Sequence, residues 1–160
     1  MKTLLFVVGL GLATAQLPSE KQSPTYPSPQ QSLTERREVL KSVVAITTRP
    51  VADLASVPAT QEIEHDSEVD RSEVVTVVVM MQGCQPDAKG ACRASADVVA
   101  YKPDGSVHSE IKGIDLATGR GTTTLKLAPS DVTGVYRVVA TVRDLNARRF
   151  GKTERLFGVK

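Results

Sequence analysis

The sequence predicts an all-β sandwich, and three observations support that prediction. Valine is the most frequent apolar residue, and β-branched side chains favour strands. Aromatic residues are scarce, with three Phe, three Tyr and no Trp, so the core must be built mostly from Val, Ile, Leu and Ala. After residue 72, short apolar or alternating stretches recur between turn residues. This spacing is typical of a sandwich of about seven strands.

The first fifteen residues have the order of a cleavable secretory signal peptide. Lys2 supplies the positive start, residues 4–12 form a short apolar core, and Ala13 and Ala15 are small residues at a cleavage site. The apolar core is shorter than the roughly 20 residues that a membrane span requires. We therefore expect export to the periplasm or the exterior, with no transmembrane segment. The alternative is that these residues form a buried N-terminal helix or strand.

The segment after the signal peptide differs in composition from the rest of the chain. Residues 16–31 are rich in Pro, Ser and Gln and contain almost no aliphatic side chains, so they are expected to form a flexible leader. The remaining residues, 32–160, have the size of one domain. The expected organisation is a signal peptide over 1–15, a leader over 16–31, and a sandwich domain with an N-terminal extension over 32–160.

A short helix is expected at the start of that domain. Ser32 and Glu35 have the spacing of a capping box, in which each side chain bonds to the other residue's exposed amide. The β-branched residues that follow favour a strand, so we predict a helix to about Ser42 and then a strand that ends before Pro50. Residues 51–71 contain scattered apolar side chains and are assigned to the first edge strand and loops.

The strand pattern is clearest after residue 72. Residues 73–82 form a near-continuous apolar run, as expected of a central strand that is covered on both faces. A turn at Asp104-Gly105 and another around Asn146 separate the later stretches. The other predicted strands are residues 94–102, 107–111, 114–116, 122–127, 135–142 and 151–159.

The segment from Asp131 to Tyr136 precedes one of these strands. It matches the tyrosine corner of immunoglobulin-like sandwiches, in which a tyrosine near the start of the penultimate strand bonds to backbone upstream. Gly134 would allow the tight approach, and Asp131 would hold the loop by accepting from nearby amides. Val138 stands where an antibody domain has its second cysteine, which argues against an antibody-type domain. The alternative is an ordinary loop that contains Asp and Gly.

The order of motifs between residues 82 and 153 gives a second indication of the fold. Gly83-Cys84 is followed by Gly90-Ala91-Cys92, then by ADVVAYKPDGSV at 96–107, GVYRV at 134–138 and ATVRD at 140–144. In this order the motifs resemble a group of uncharacterised exported bacterial proteins with an immunoglobulin-like β-sandwich. The resemblance implies that fold, and no activity comes with it.

Cys84 and Cys92 are the two cysteines of the chain. In an oxidising compartment, two cysteines that bracket a loop containing Pro and Gly are expected to form a disulfide. The alternatives are a redox pair or a metal site. The spacing is not C-x-x-C, and a structural zinc requires four ligands. We expect no metal and no other cofactor.

The basic residues suggest a second site. Arg143, Arg148, Arg149, Lys152 and Arg155 surround the last predicted hairpin, and loops at the end of a sandwich commonly bind partners. This patch is predicted to meet an anionic partner or the anionic cell surface, the alternative being charge that keeps exposed strands soluble. Nucleic-acid binding is not expected, because the basic residues are not interleaved with stacking aromatics.

The densest acidic stretch is EIEHDSEVD at residues 62–70. Its carboxylates could supply oxygen ligands for calcium, but the glycine and the terminal glutamate of a calcium-binding loop are missing. A solvated loop or a charged edge strand is the favoured interpretation.

Sequence motifs for catalysis are absent. The chain has no G-x-S-x-G, no HExxH and no Gly-rich phosphate loop, and neither His65 nor His108 lies near a nucleophile motif. We therefore expect an exported, non-enzymatic binding or accessory module whose partner is an unidentified protein or cell-surface component. One alternative is an inhibitor or chaperone-like subunit that pairs an edge strand with a client. The other is a small secreted hydrolase, which would need a pocket where histidine and carboxylates converge.

Overall fold

Two β-sheets account for most of the residues that the structure describes, a computed structural model covering residues 40–58 and 60–160. Within these residues the chain forms eight strands and one short helix, α1. Their bounds are β1 (Lys41–Thr47), α1 (Val51–Ala55), β2 (Glu68–Val69), β3 (Val74–Gln82), β4 (Ala94–Tyr101), β5 (Val107–Asp115), β6 (Arg120–Lys126), β7 (Gly134–Asp144) and β8 (Arg149–Val159).

The strands form a sandwich of unequal layers. The smaller sheet has the order β1-β3-β6 and is antiparallel throughout. The larger sheet has the order β2-β8-β7-β4-β5, and the short pairing of β2 with β8 is its one parallel pairing. The all-β, immunoglobulin-like sandwich predicted from the sequence is confirmed.

The core lies between the two sheets and is largely aliphatic. Strand β4 alternates strictly between buried and half-buried residues, so one face of the larger sheet supplies the core and the other faces outward. Tyr136 and Phe157 are the aromatic exceptions, and their ring centroids lie 5.6 Å apart in the centre of the sandwich. The smaller sheet contributes valines to the same core, namely Val44, Val75, Val77 and Val79.

Strand β3 is buried on both faces, as its apolar run predicted. Its inner face joins the main core, while Val78 on its outer face packs with Ala45, Leu54 and Ile63. Leu54 belongs to α1 and Ile63 to the segment that follows, so this segment covers the smaller sheet. Arg120 secures it by donating from its guanidinium to backbone carbonyls that include Leu54 O, 3.0 Å away, and Val57 O. Carbonyls at the end of a helix otherwise lack a partner in the chain.

Two of the predicted elements are corrected by the structure. Strand β1 begins at Lys41, so the predicted helix cannot extend to Ser42. Residues 51–71 contain α1 as well as an edge strand, and that strand is limited to Glu68–Val69. Pro50 precedes α1 with a φ of −59°, and Asp53 lies in its first turn; both features favour the start of a helix.

The predicted strands 107–111 and 114–116 form a single strand, β5, whose pairing with β4 shifts register at two places. A β-bulge leaves residues unpaired without ending the strand, which explains why the sequence pattern was broken. The count is therefore eight strands instead of about seven. The predicted signal peptide, leader and capping box lie outside the described residues. Among residues 40–58 and 60–160, no helix is long and apolar enough to cross a membrane.

Candidate functional site

The tyrosine corner is formed as its definition requires. Tyr136 is fully buried, and its hydroxyl donates to the carbonyl oxygen of Val132 at 2.9 Å. Asp131 accepts from the backbone amide of Ala128 at 2.8 Å. Gly134 has a φ of 132°, and a Cβ there would lie 2.9 Å from Cγ of Pro103, so glycine is needed for both reasons.

The corner contains a histidine that the sequence did not place there. Nε2 of His108 donates to Oδ2 of Asp131 at 3.0 Å, and the His108 ring meets Tyr136 edge-on at 5.8 Å. Hydrogen bonds from the Ala128 amide and from His108 lower the pKa of Asp131, and burial raises the pKa of Tyr136. Both partners of the His108–Asp131 pair are largely buried. The pair fastens the loop before β7 to strand β5, which is a structural role.

The predicted disulfide between Cys84 and Cys92 is present. It closes the loop between β3 and β4, which we call the disulfide loop (residues 84–92). Within it, one carboxylate oxygen of Asp87 accepts from the amides of Lys89 and Ala91 at 2.8 and 2.9 Å. These bonds lower the pKa of Asp87. The loop is thus ordered by its own polar contacts as well as by the covalent link.

Asp144, at the end of β7, joins the disulfide loop to the last hairpin. Its side chain is 0% exposed, and its carboxylate accepts from the amides of Gln85, Asn146 and Ala147 and from Nη2 of Arg149, at 2.8 to 3.1 Å. Burial opposes ionisation, but the bond from Arg149 and the amide bonds outweigh it, so the pKa of Asp144 is lowered. The Asp144 carboxylate is therefore ionised at neutral pH, and four hydrogen bonds fix its position.

Three further hydrogen bonds complete this junction. Nδ2 of Asn146 donates to the carbonyls of Gln85 and Ala91, both at 2.9 Å. Arg149 also donates to the carbonyl of Gly83 at 2.7 Å. The turn between β7 and β8 is thereby fixed to both ends of the disulfide loop. These contacts could not be predicted from local sequence spacing, because the partners lie 55 to 66 residues apart.

The structure divides the five basic residues of the predicted patch between the two faces of the larger sheet and the turn. Arg149 is engaged with Asp144, and Arg155 turns toward β1, where its Nε donates to the carbonyl of Val44. Lys152 is exposed on the outer face of β8, the face that also carries Phe150, and it pairs in register with Thr141. Arg143 and Arg148 remain at the hairpin end, and Arg143 is 48% exposed although it contacts Asp97 at 2.7 Å.

Arg143, Arg148 and Arg149 meet at one concavity of about 310 Å³, which we call the hairpin groove. Two large apolar side chains lie beside them: Phe150 is 78% exposed and Leu145 is 50% exposed. Neither side chain was predicted to belong to this site, and the predicted last strand began at residue 151, after Phe150. The lining residues are Thr141, Arg143, Asp144, Leu145, Arg148, Arg149 and Phe150.

A second concavity, of about 300 Å³, lies beside the smaller sheet between Lys41, Glu62 and Met80. Glu62 is the one residue of the acidic stretch that lines it. Elsewhere in that stretch Asp66 accepts from the amide and hydroxyl of Thr48, at 2.6 and 3.0 Å, and so holds two loops together. In the part of the chain that the structure describes, no three His, Cys, Asp or Glu side chains are grouped so that they could hold a metal ion.

The chain was compared with protein families, curated proteins and solved structures. No protein-family model and no curated protein matches the sequence. Among solved structures, an immunoglobulin-like protein from Pseudomonas aeruginosa is 14% identical, with a TM-score of 0.41 and coverage of 75% of this chain and 92% of that one. A CARDB domain from Pyrococcus furiosus is 16% identical, with a TM-score of 0.36 and coverage of 77% and 90%.

A superoxide reductase from Ignicoccus hospitalis is also similar, at 17% identity, with a TM-score of 0.42 and coverage of 62% and 79%. With identities under 25% and TM-scores under 0.5, none of these similarities carries an argument about activity. By its two sheets, its strand order and its tyrosine corner, this chain contains an immunoglobulin-like β-sandwich.

Proposed function

We propose that this protein is an exported, non-enzymatic binding or accessory module that meets its partner at the hairpin groove. The observation that carries the proposal is the exposure of Phe150, which is 78% accessible beside Arg143 and Arg148. Aromatic and arginine side chains are the residues that most often dominate binding interfaces. A large apolar side chain left in water next to them favours a site that a partner covers.

The rigidity of the hairpin end supports the same proposal. Asp144 and Asn146 fix the turn that carries Leu145 and Arg148 to a loop that the Cys84–Cys92 disulfide closes. A preformed site loses little conformational entropy when a partner binds, which raises affinity. The disulfide also supports export, because such bonds persist in oxidising compartments.

The edge-strand alternative has less support. Strand β5 is a long edge of the larger sheet, but it is irregular at two positions and carries the charged pair Glu110 and Lys112. Bulges and charges on an edge strand hinder pairing with another chain. The proposed contact therefore uses side chains at the hairpin groove instead of backbone at an edge.

The hydrolase alternative requires histidine and carboxylate in a pocket. His108 and Asp131 do form a pair, but both are largely buried in the tyrosine corner. Neither of the two concavities described above is lined by histidine. These positions support a non-enzymatic role.

The test is affinity capture from extracts of the source cells, with the wild type and four variants side by side. Arg148→Asn and Phe150→Ala change the groove, and Lys126→Gln and Leu156→Ala are matched controls at other exposed sites. We expect a captured component that both groove variants lose and both controls retain. Capture of the same components by all five proteins would contradict the proposed function.

A further inference from the structure

The charges around the hairpin groove are unevenly compensated. Asp144 lines the groove with a buried carboxylate. Arg149 and three backbone amides donate hydrogen bonds to that carboxylate and so compensate its negative charge. Arg143 is paired with Asp97, and Arg148 is exposed in the turn. Three arginines stand against two carboxylates here, so the groove carries a net positive charge.

Arg143 is oriented before any partner arrives. Its Nη1 bonds to Oδ2 of Asp97 at 2.7 Å, yet about half of its side chain remains exposed. A guanidinium has five N–H donors in a fixed plane, so one carboxylate contact leaves donors for a second. Asp97 is itself fixed by the amide of Gly113, which donates to its other oxygen at 3.0 Å.

The exposed apolar side chains beside the groove, Phe150 and Leu145, are the second feature that a ligand must match. Phe150 is the register partner of Arg143 across β7 and β8, and Leu145 follows β7 directly. The two arginines are thus flanked by large apolar surface at a concavity of about 310 Å³, the lower end of the size range of ligand clefts. A ligand that fits all of these groups combines carboxylates with an apolar side chain.

From this arrangement we infer that the hairpin groove binds an acidic segment of a partner polypeptide that carries an aromatic or aliphatic residue. This inference rests on the proposed function and specifies its partner. The carboxylates of the segment bond to Arg143 and Arg148, and its apolar side chain packs on Phe150 and Leu145.

The surroundings of the groove favour a polypeptide over an anionic bilayer. On the outer face of the larger sheet, Glu110 pairs with Lys112 and Glu154 pairs with Arg137. The charge there is mixed, whereas a flat anionic membrane needs a broad basic surface. Two exposed cations, Arg148 and Lys152, lie at or beside the groove at one end of the sheet, where a narrow segment reaches them without touching the rest of that face.

The experiment measures fluorescence anisotropy of labelled peptides with the full chain. One peptide has a Glu-Phe-Asp centre between Gly-Ser flanks, a second replaces the acids by Gln and Asn, and a third replaces Phe by Ser. We expect binding of the first, with affinity that falls as salt rises, and roughly tenfold weaker binding of the other two. Vesicles of phosphatidylcholine with phosphatidylglycerol are expected to bind no better than phosphatidylcholine alone.

Variants of the protein distinguish binding at the groove from non-specific binding elsewhere on the surface. Arg148→Asn removes the charge without backbone strain, because Arg148 has a φ of 52° and Asn tolerates that conformation. We expect Arg148→Asn and Phe150→Ala each to weaken the first peptide roughly tenfold, while Lys126→Gln and Leu156→Ala leave it unchanged. Circular dichroism of each variant shows that the fold is retained.

Equal affinity for the three peptides, or equal affinity of wild type and groove variants, would overturn the inference. Preferential binding to the anionic vesicles would overturn it as well, in favour of a membrane partner. If the groove variants lose their captured component but bind the peptides as the wild type does, the proposed function stands and the acidic-segment inference fails. If capture is also unchanged, both fail.

Discussion

Asp144 should be the most sensitive polar position of the hairpin end. Replacing it by Asn keeps the size of the side chain but removes the charge and turns an NH₂ group toward N–H donors. The guanidinium of Arg149 then loses its carboxylate, and one or more of the three amides loses its acceptor. Breaking a buried ion pair by removing one partner costs about 3–5 kcal/mol. We expect Asp144→Asn to lower the free energy of unfolding by about 3 kcal/mol, since the Asn oxygen still accepts part of the bonds.

The same residue should make stability depend on pH. The pKa of Asp144 is lowered in the folded protein, whereas in the unfolded chain it is about 3.9. Below that pH the unfolded state binds the proton first, so the contribution of Asp144 is present above about pH 4 and is lost as the pH falls toward the folded pKa. Asp144→Asn removes this contribution, and the variant should lose less stability than the wild type on acidification.

The assay is urea unfolding followed by circular dichroism, at neutral pH and at several values below pH 4. Asp104→Asn is the control, because Asp104 also has a lowered pKa but lies in an exposed turn, bonded to Ser106. The control should keep the urea midpoint of the wild type at neutral pH, because exposed substitutions change stability little. A loss under about 1 kcal/mol for Asp144→Asn, or an acid dependence identical to that of the wild type, would refute this account of the junction.

Three further changes test the fold and the disulfide. Replacing both Cys84 and Cys92 by Ser should cost about 2–3 kcal/mol in urea unfolding, and a thiol titration that finds free thiols before reduction would contradict the pairing. Tyr136→Phe removes the bond to Val132 O and should cost about 1 kcal/mol; an unchanged unfolding midpoint would deny the corner a stabilising role. Gly134→Ala should cost about 1–3 kcal/mol, because of its positive φ and the contact with Pro103, whereas Gly105→Ala meets open space and tests the φ effect alone.

Features with local signals were predictable from the sequence. The corner depends on a tyrosine and the few residues before it, and the disulfide depends on two cysteines that bracket one loop. The burial of β3 on both faces followed from its near-continuous apolar run. The segment that covers the outer face of β3 could not be predicted from the sequence, because α1 has five residues and is too short to show a helical period. Its position depends on Arg120, which is more than 60 residues away in sequence.

The candidate site was predicted in part. The hairpin was identified by its basic residues, but neighbours in sequence have different roles there. Arg149 faces inward to a buried carboxylate, while Arg148, one residue earlier, lies in the turn and faces water. Phe150, one residue later, faces outward because side chains alternate along a strand. The number of basic residues in a stretch does not show which of them face inward and which face outward. The direction of each side chain depends on where β8 begins.

The contacts that hold the hairpin groove in shape span long stretches of the chain. Gln85 meets Asp144 across 59 residues, and Gly83 meets Arg149 across 66. A hairpin cut out as β7 and β8 alone would keep Phe150 and the arginines but would lose the loop that fixes their turn. The groove can therefore form only when the connections β3–β4 and β7–β8 have met, so the binding that we propose for it would report on complete folding of the sandwich.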